Sequence, residues 1–537
     1  MEYILANIQF VIFVFFILFK IRRTLVLSHF FQQEEYDNKR FLKLVFDKLR
    51  YVDRKFTLGT ILIFIFGIWQ SDFTILAIPY IGFLALLTYK QFNPLKYGKK
   101  PLIITKRLRL IIFVCLFLNI LTGYLFVSLF ALKLHFLFYI LLVQLLPITL
   151  TLANFILAPI ENHAQKRFYN EAKAILAKFK PKVIAITGSY GKTSTKYILE
   201  HILASNLKVL ATPGSVNTVM GIVRIIREKL KSNHKYFIVE MGAYGVGSIN
   251  RLCKLAPPLH GIITAVGVAH LERYKKAENV AKAKFELSNY VADNSGCIIL
   301  NSDQIKAEYI QKYNKVDDKY CFFVSKNNDI GYRIANAKNT TCGIKFELTY
   351  QNQFYQVSAP IYGLMQIENI ALAFVLALKI GLKPDTIIAS LAKLPQIKHR
   401  LEVKKQADNI IIDDAYNSNP DGFKAAIDVV EMFGKANKNA RKIVVTPGMV
   451  EMGADHDKEH SKLGKIIAAK CDILIAILPE RIESLVASFT EHAPGKTLMK
   501  FKDFRSAKFW LDNNVQSKDI ILFENDLPDI YESKILF

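Results

Sequence analysis

Residues 183–203 read VIAITGSYGKTSTKYILEHIL, and this stretch decides the fold class of the chain. Its β-branched beginning is typical of a buried strand, and the apolar spacing after Lys192 is typical of an amphipathic helix. Gly188 and Gly191 lie between the two, where backbone N–H groups can turn toward phosphate oxygens at the positive end of a helix. Lys192 is placed to reach the terminal phosphates, and the Thr193 hydroxyl is placed to bind magnesium. The stretch therefore predicts a P-loop that binds ATP and Mg²⁺.

This loop departs from the full eight-residue phosphate-binding motif, because Ile186 occupies the position of the first glycine. An ordinary turn between a strand and a helix is the alternative interpretation. The strand before the loop and the helix after it favour nucleotide binding.

Strand–helix alternation continues beyond this loop and predicts a parallel sheet covered on both faces. Further strands are predicted at Val209–Thr212, Tyr236–Met241, Gly261–Val266 and Cys297–Leu300. Residues 320–360 carry short alternating runs with no helix between them, which predicts an antiparallel patch. A second α/β series begins at Asn409.

These patterns predict a multi-domain chain, as expected for 537 residues. Transmembrane helices over residues 1–160 are followed by an α/β P-loop ATPase domain over residues 161–400. A C-terminal Rossmann-like α/β domain covers residues 401–537.

The membrane prediction depends on composition: 52% of residues are hydrophobic, 39 are Phe, and the mean hydropathy is +0.21. Five apolar runs lie before residue 160, at Tyr3–Phe19, Phe56–Trp69, Phe73–Tyr89, Leu110–Leu132 and Leu134–Ile160. The first, fourth and fifth have about the 20 residues that a bilayer requires, while the middle two are short enough for a tilted or re-entrant hairpin. A cleaved signal peptide is the alternative for the first run, but the basic cluster follows the apolar stretch.

Positive charge orients these helices, since nearly all Lys and Arg before residue 160 fall in two predicted loops, Lys20–Lys55 and Lys90–Arg109. With five crossings, both loops lie inside and the N-terminus lies outside. The sequence thus predicts a multi-pass protein of the plasma membrane with cytoplasmic catalytic domains.

The net charge of +25 has several readings. No basic-aromatic stripe or nucleic-acid motif accompanies it, so we expect no nucleic-acid partner. Membrane lipid or anionic substrates are the favoured partners. The 6 cysteines form no C-x-x-C pair, which excludes a zinc ribbon and is typical of a reducing compartment.

TGSYGKTST resembles the phosphate loop of the Mur ligases, the ATP-dependent enzymes that build the peptidoglycan stem peptide. Other segments match the family in the same order: Ala211–Thr218, Val239–Ala243, Val268–Glu272, Ala281–Glu286 and Asp413–Pro420. The last of these, DDAYNSNP, is similar to the branch that adds D-alanyl-D-alanine.

The resemblance implies a set of site residues. The implied ATP contacts are Gly188, Ser189, Tyr190, Gly191, Lys192, Thr193, Ser194, Asn369, Arg400 and Asp414. The implied metal ligands are Thr193, Glu240, His270 and Lys284, the lysine as a carbamate. The implied catalytic residues are Lys192, Lys284 and His270. The implied substrate contacts are Asn217, Thr218, Tyr416, Asn417 and Asn419.

The implied reaction joins an amino acid or a dipeptide such as D-Ala-D-Ala to a cell-wall precursor. ATP converts a stem-peptide carboxylate to an acyl phosphate, and the incoming amine then expels phosphate. Three residues have structural alternatives: His270 as an interior histidine, Lys284 as a solvated helix-face residue, and Asn369 as a helix cap.

Departures from the family occur in the middle domain and at both ends of the chain. Met365-Gln366 replace a usual His-Asn pair, and residues 523–529 replace an expected Lys-Gly-Ser loop. Membrane helices take the place of the usual soluble domain that binds the UDP group. This substitution suggests the hypothesis of a lipid-linked acceptor.

Other functions remain open at the level of sequence. Membrane-anchored ligases that make poly-γ-glutamate resemble this family, and a transporter with an attached ATPase is a reading from another class. The transporter reading lacks its signature sequence, and a catalytically dead scaffold is disfavoured by the joint presence of Lys192, Glu240, His270 and Lys284.

Overall fold

The computed structural model describes residues 2–48, 51, 53–70, 75–95, 101–130, 132–267, 274, 276–327, 331–415, 419–449, 452 and 455–525. The chain divides into two compact units, with the boundary between Lys166 and Arg167. Each unit has hydrophobic cores of its own.

The predicted apolar runs lie on helices of the first unit, which are hydrophobic around most of their circumference. Its helices are α1 (Glu2–Gln33), α2 (Asn38–Lys43), α3 (Arg54–Gln70), α4 (Ala77–Lys90), α5 (Lys106–Leu129), α6 (Leu132–Gln144) and the part of α7 (Leu146–Phe179) up to Lys166, and a π-helical turn (Leu44–Lys48) follows α2. Many outward side chains are apolar, among them Leu62, Ile78, Phe113 and Phe155, each at least 66% exposed.

The run Leu134–Ile160 is not one straight helix, contrary to the sequence-based expectation. It breaks at Leu145, where α6 and α7 meet at 58°. Pro147 has no N–H to donate to the carbonyl of Val143, so the helical ladder is interrupted there. The Tyr51 hydroxyl donates to the Val143 carbonyl instead, at 2.9 Å.

Within the described residues, α5 is long and apolar enough to cross a bilayer, and a second span is obtained if the bent α6–α7 pair is counted as one. Helix α4 is apolar but has 14 residues, fewer than the roughly 20 that a crossing requires. Five membrane crossings therefore stay a prediction.

The first unit buries charged side chains among its hydrophobic cores. Lys20 and Arg23, predicted as the start of a basic loop, are buried side chains of α1. Lys20 Nζ donates to Asn119 Oδ1 and to the Leu142 carbonyl next to the helix break. Arg23 forms an ion pair with the fully buried Asp53. Helix α1 can bury these two cations because Asn119, the Leu142 carbonyl and Asp53 accept their hydrogen bonds.

Asp53→Ala is expected to lower the free energy of unfolding by about 3–5 kcal/mol, because it leaves the Arg23 guanidinium buried without its carboxylate. The matched control is the double variant Arg23→Met/Asp53→Leu, which removes both charges and should recover most of the loss. Thermal and denaturant unfolding of the purified chain measures both. Equal destabilisation of the single and double variants would contradict this account.

The second unit contains a nine-stranded sheet in the order β2-β3-β1-β4-β5-β6-β7-β8-β9. Its strands are β1 (Lys182–Thr187), β2 (Val209–Ala211), β3 (Tyr236–Glu240), β4 (His260–Ile263), β5 (Ile298–Asn301), β6 (Cys321–Ser325), β7 (Tyr332–Thr340), β8 (Gly343–Tyr350) and β9 (Gln353–Ala359). The predicted parallel strands are confirmed. The antiparallel patch predicted over residues 320–360 is confirmed for β7 to β9. It is wrong for β6, which pairs in parallel with both β5 and β7 and so makes these strands part of the same sheet.

Helices cover both faces of this sheet. They are α8 (Lys192–Ala204), α9 (Val219–Lys229), α10 (Ser248–Leu255), α11 (Ala277–Asp293), α12 (Ala307–Tyr313), α13 (Met365–Ile380) and α14 (Pro384–Leu391). Helix α13 is buried along most of its length, which explains its nearly continuous apolar sequence. It packs with α8 in one core, while α9, α10 and α11 form the core on the other face.

A six-stranded sheet follows in the order β10-β11-β15-β12-β13-β14, parallel except for the β10–β11 hairpin. Its strands are β10 (Glu402–Gln406), β11 (Asn409–Asp414), β12 (Lys442–Thr446), β13 (Ile473–Ile477), β14 (Thr497–Phe501) and β15 (Ile520–Glu524). Its helices are α15 (Pro420–Ala436), α16 (His456–Lys470), α17 (Glu483–His492) and α18 (Phe504–Asn514). This arrangement agrees with the predicted Rossmann-like series.

Candidate active site

The predicted phosphate loop joins the carboxyl end of β1 to the first turn of α8. Gly188 and Gly191 both have positive φ, at 155° and 78°. A Cβ at Gly188 would collide with Thr264 Oγ1, and a Cβ at Gly191 would collide with Asn369 Oδ1. Only glycine fits both positions, so the backbone can approach a ligand closely at the positive end of α8.

Lys192 is the first residue of α8, and its side chain folds back over the loop. Lys192 Nζ donates to the carbonyls of Gly188 at 2.7 Å and Ser189 at 3.2 Å. Burial lowers the pKa of Lys192, the Glu240 carboxylate opposes that shift, and the Arg400 charge adds to it. A lysine this close to the loop is positioned to meet phosphate oxygens.

Glu240 ends β3 beside the loop, and its side chain is about 1% exposed. Glu240 Oε2 accepts from Thr193 Oγ1 at 2.9 Å, and Oε1 accepts from Asn217 Nδ2 at 3.1 Å. Three predicted site residues are thus in direct contact. Carboxylate and hydroxyl oxygens are the ligands that Mg²⁺ prefers, so this donor set fits the metal.

Sequence reasoning missed Lys196, which also contacts this carboxylate. Its ammonium is fully buried and lies 3.0 Å from Glu240 Oε2. The available signal was spacing: Lys196 lies one helical turn after Lys192 and therefore on the same face of α8.

Lys284 lies on α11 and lines a cleft next to the phosphate loop. The cleft is lined by Gly188, Ser189, Lys192, Asn217, Gly242, Ala243, Tyr244, Tyr274, Val280 and Lys284. Lys284 is 4% exposed, so its reading as a solvated helix-face residue is wrong. Among the described residues, no hydrogen bond or ion pair reaches its ammonium nitrogen.

The pKa of Lys284 lies well below its usual value, chiefly because of burial and then because of the Lys192 charge; Glu286 opposes the shift. A lowered pKa increases the share of neutral amine, which is the form that reacts with CO₂ to give a carbamate. Glu286 itself accepts the N–H groups of Gly247 and Asn250 and caps α10. The site therefore suits a carbamate at Lys284, with Glu286 in a structural role.

Asn369 connects α13 to the phosphate loop. Its Oδ1 accepts from Thr195 Oγ1 at 3.1 Å, and its Nδ2 donates to Gln366 Oε1 at 2.9 Å. Helix α13 is preceded by Leu364 as its N-cap, so the reading of Asn369 as a cap is wrong.

Arg400 and Asp414 lie at the start of the six-stranded sheet: Arg400 precedes β10, and Asp414 is the last residue of β11. Asp414 is 8% exposed and accepts the Leu401 N–H at 3.1 Å. His399 and Leu401 both have left-handed φ, near 58° and 51°, so a strained turn presents Arg400. The Arg400 charge lowers the pKa of both Lys192 and Asp414.

The remaining predicted residues have mixed placements. Ser189 Oγ accepts a hydrogen bond from the Gly267 N–H at 3.0 Å. The Tyr190 side chain is 39% exposed, whereas Ser194 is buried. Thr218 and Asn419 are N-caps of α9 and α15, which occupies their side-chain oxygens. His270, Tyr416 and Asn417 lie outside the described residues, so their roles stay predictions.

Asp414→Asn is expected to raise the free energy of unfolding by about 2–3 kcal/mol at pH 7.5. Burial raises the pKa of Asp414 from 3.8 to about 6, against the opposing effects of the Leu401 N–H and Arg400. The folded pKa exceeds the unfolded one, so wild-type stability falls as pH rises from about 4 to about 6. Asparagine retains a side-chain oxygen that can accept the Leu401 N–H, but it carries no negative charge.

Denaturant unfolding of both proteins between pH 4 and pH 8 measures this difference, with Asp408→Asn, which changes an exposed carboxylate, as the control. A gain that does not depend on pH would contradict the burial argument.

Comparison with known proteins agrees with this geometry. Residues 186–377 match the Mur ligase middle domain, and residues 399–524 match the Mur ligase glutamate ligase domain. The UDP-N-acetylmuramoyl-tripeptide–D-alanyl-D-alanine ligase of Mycobacterium tuberculosis is 31% identical over 297 residues, which are 54% of this chain and 57% of the relative. The enzyme of that name from Escherichia coli is 28% identical over 322 residues, 59% of this chain and 69% of the relative.

Solved structures have the same fold. MurF ligase from Thermotoga maritima in complex with ADP has a TM-score of 0.57 and 25% identity, over 69% of this chain and 82% of that one. MurF from Acinetobacter baumannii has a TM-score of 0.57 and 24% identity, over 67% of this chain and 77% of that one. The chain spans about 57% of the length of the first curated relatives it matches. Through the middle and C-terminal domains at residues 186–377 and 399–524, the chain belongs to the Mur ligase family.

Proposed function

We propose that this chain is an ATP-dependent ligase of cell-wall precursor synthesis that joins D-alanyl-D-alanine to the tripeptide of UDP-N-acetylmuramoyl-tripeptide. The observation that carries the proposal is one cleft in which Lys192 and Asn217, the latter a hydrogen-bond partner of Glu240, face the buried Lys284. The relatives from Mycobacterium tuberculosis and Escherichia coli, both UDP-N-acetylmuramoyl-tripeptide–D-alanyl-D-alanine ligases, support the substrate pair.

In this proposal the phosphate loop binds ATP, and Lys192 turns from the loop carbonyls to the terminal phosphates. Thr193 and Glu240 hold Mg²⁺, which neutralises charge on the phosphates. His270 and a carbamate on Lys284 serve a second metal. A carboxylate oxygen of the tripeptide attacks the γ-phosphorus, and ADP leaves. The neutral amine of the dipeptide then attacks the acyl carbon, phosphate leaves with the electron pair of the C–O bond, and the nitrogen loses one proton to solvent.

We also propose that the first unit lies in a lipid bilayer, with five crossings, the N-terminus outside and the catalytic domains in the cytoplasm. Its outward apolar side chains and inward polar ones favour lipid as the surrounding solvent. Extraction of cell membranes with alkaline carbonate tests the proposal: the chain should stay in the membrane pellet. Release into the supernatant would contradict it.

The ligase proposal is tested with the purified full chain, ATP, Mg²⁺, UDP-N-acetylmuramoyl-tripeptide and D-alanyl-D-alanine. Mass spectrometry should find the tripeptide extended by the dipeptide, with one ADP for each bond. Polyprenyl-linked acceptor is supplied in parallel, and normal turnover with the UDP form alone would remove the lipid-linked hypothesis. A product formed from glutamate without the muramoyl acceptor would instead favour a poly-γ-glutamate ligase.

A further inference from the structure

Lys196 is a buried cation that the mechanism above does not use. It lies one turn beyond Lys192 on α8, and its side chain is fully buried. Its ammonium donates to Glu240 Oε2 at 3.0 Å and to the carbonyl of Gly214. The residue thus joins α8, the end of β3 and the segment after β2.

The contacts of Glu240 show what this cation contributes. Oε2 is shared by Lys196 and the Thr193 hydroxyl, Oε1 accepts from Asn217, and the backbone N–H donates to Thr212 Oγ1 at 3.1 Å. The carboxylate is therefore held from several sides. Thr193 and Asn217 are neutral, so among these contacts Lys196 supplies the positive charge beside the buried Glu240 carboxylate.

An isolated buried carboxylate is costly by several kcal/mol, and a fixed cation compensates for that cost only with good geometry. Lys196 has no exposed surface, whereas a nucleotide-bound magnesium ion arrives and leaves with its ligand. Groups that orient a metal ligand from behind often determine metal affinity.

We propose that Lys196 is a positioning residue, which holds the Glu240 carboxylate and the Gly214 carbonyl in one arrangement so that magnesium enters a preformed site. It acts through Glu240 and touches neither nucleotide nor reacting atoms. This inference rests on the proposed function in one respect, namely that Glu240 ligates the magnesium of the bound nucleotide.

The test variant is Lys196→Met, which keeps the length of the side chain and removes its charge and donors. The matched control is Tyr197→Phe on the same helix, because the Tyr197 hydroxyl accepts the Gly214 N–H at 3.0 Å but does not contact Glu240. Both variants loosen α8 from the Gly214 segment, and only one releases the carboxylate.

Two measurements use the full chain in detergent. The first is the rise in unfolding temperature caused by ADP, recorded across a magnesium titration. The second is the magnesium dependence of ATP turnover. In Lys196→Met the half-saturating magnesium concentration should rise about tenfold or more in both, while turnover at saturating magnesium changes much less. Tyr197→Phe should follow the wild type.

An unchanged magnesium dependence in Lys196→Met would overturn the proposal, as would an equal shift in Tyr197→Phe. Should Lys196→Met fail to fold, the shorter and uncharged Lys196→Gln is measured in its place, with the same outcomes deciding. The ADP measurement needs no acceptor or amine. Wild-type protein that binds magnesium–ADP but makes no dipeptide product would therefore refute the ligase function and leave this inference standing.

Discussion

Lys192→Ala is expected to lower ATP turnover by about a thousandfold or more, because the charge nearest the phosphate loop is lost. The ammonium sits within 2.7 Å of the Gly188 carbonyl, so a small movement brings it to a bound phosphate. Charge that develops on transferred phosphate is stabilised most by groups already in position. Release of ADP by the purified chain, with acceptor and dipeptide present, measures the effect.

Neighbouring cations are not expected to substitute for Lys192. Lys196 is held by Glu240, and Arg400 is presented by a separate strained turn. The control is Lys208→Ala, an exposed lysine, which should keep wild-type turnover. All three proteins should also divide in the same proportions between membrane pellet and supernatant. Turnover of Lys192→Ala within about tenfold of the wild type would contradict the assignment of Lys192.

Lys284→Ala is expected to reduce ligation by about a hundredfold or more, with partial recovery on adding formate or acetate. The variant removes the amine that would carry a carbamate and leaves space in the buried cleft. A small carboxylate supplies the missing anionic oxygens to the metal at the same place. Rates of product formation across a series of carboxylate concentrations measure the recovery.

The chain offers a matched control for this experiment on the same helix. Lys282 is exposed and lies two positions before Lys284, so Lys282→Ala changes the same residue type outside the cleft. It should keep full activity and show no response to carboxylates. If Lys284→Ala keeps full activity, the modified-lysine assignment is wrong. Lost activity without recovery would point to a packing role for the side chain.

Much of the second unit was predictable because its signals are local. Strand β1 and helix α8 follow from the spacing of apolar residues, and the loop between them follows from Gly188 and Gly191. The parallel strands β2 to β5 were predicted for the same reason. The antiparallel strands were predicted as a patch. They belong to the same sheet because β6 pairs with β7, and the sequence of neither strand indicates that pairing.

Burial of charged residues was the feature that the sequence described least well. Lys20 and Arg23 read as the start of a basic loop, yet Asn119 and Asp53 receive them inside the first unit. Lys284 was implied by the resemblance to the Mur ligases, and its spacing from Val280 and Leu287 also places it on the apolar face of its helix. Thr218 and Asn419, implied as substrate contacts, are neutral residues whose oxygens cap α9 and α15, and that substrate role stays a prediction.

By itself, the order of amino acids determined a phosphate loop, the alternation of strands and helices around it, the apolar helices of the N-terminal region, and the segments shared with the Mur ligases. Only the tertiary structure decided that Lys196 pairs with Glu240, 44 positions away, and that Asn369 reaches Thr195 across 174 positions. The physical reason is that backbone periodicity is set by neighbours along the chain. The partner of a buried charge is set by whichever distant strand or helix packs against it.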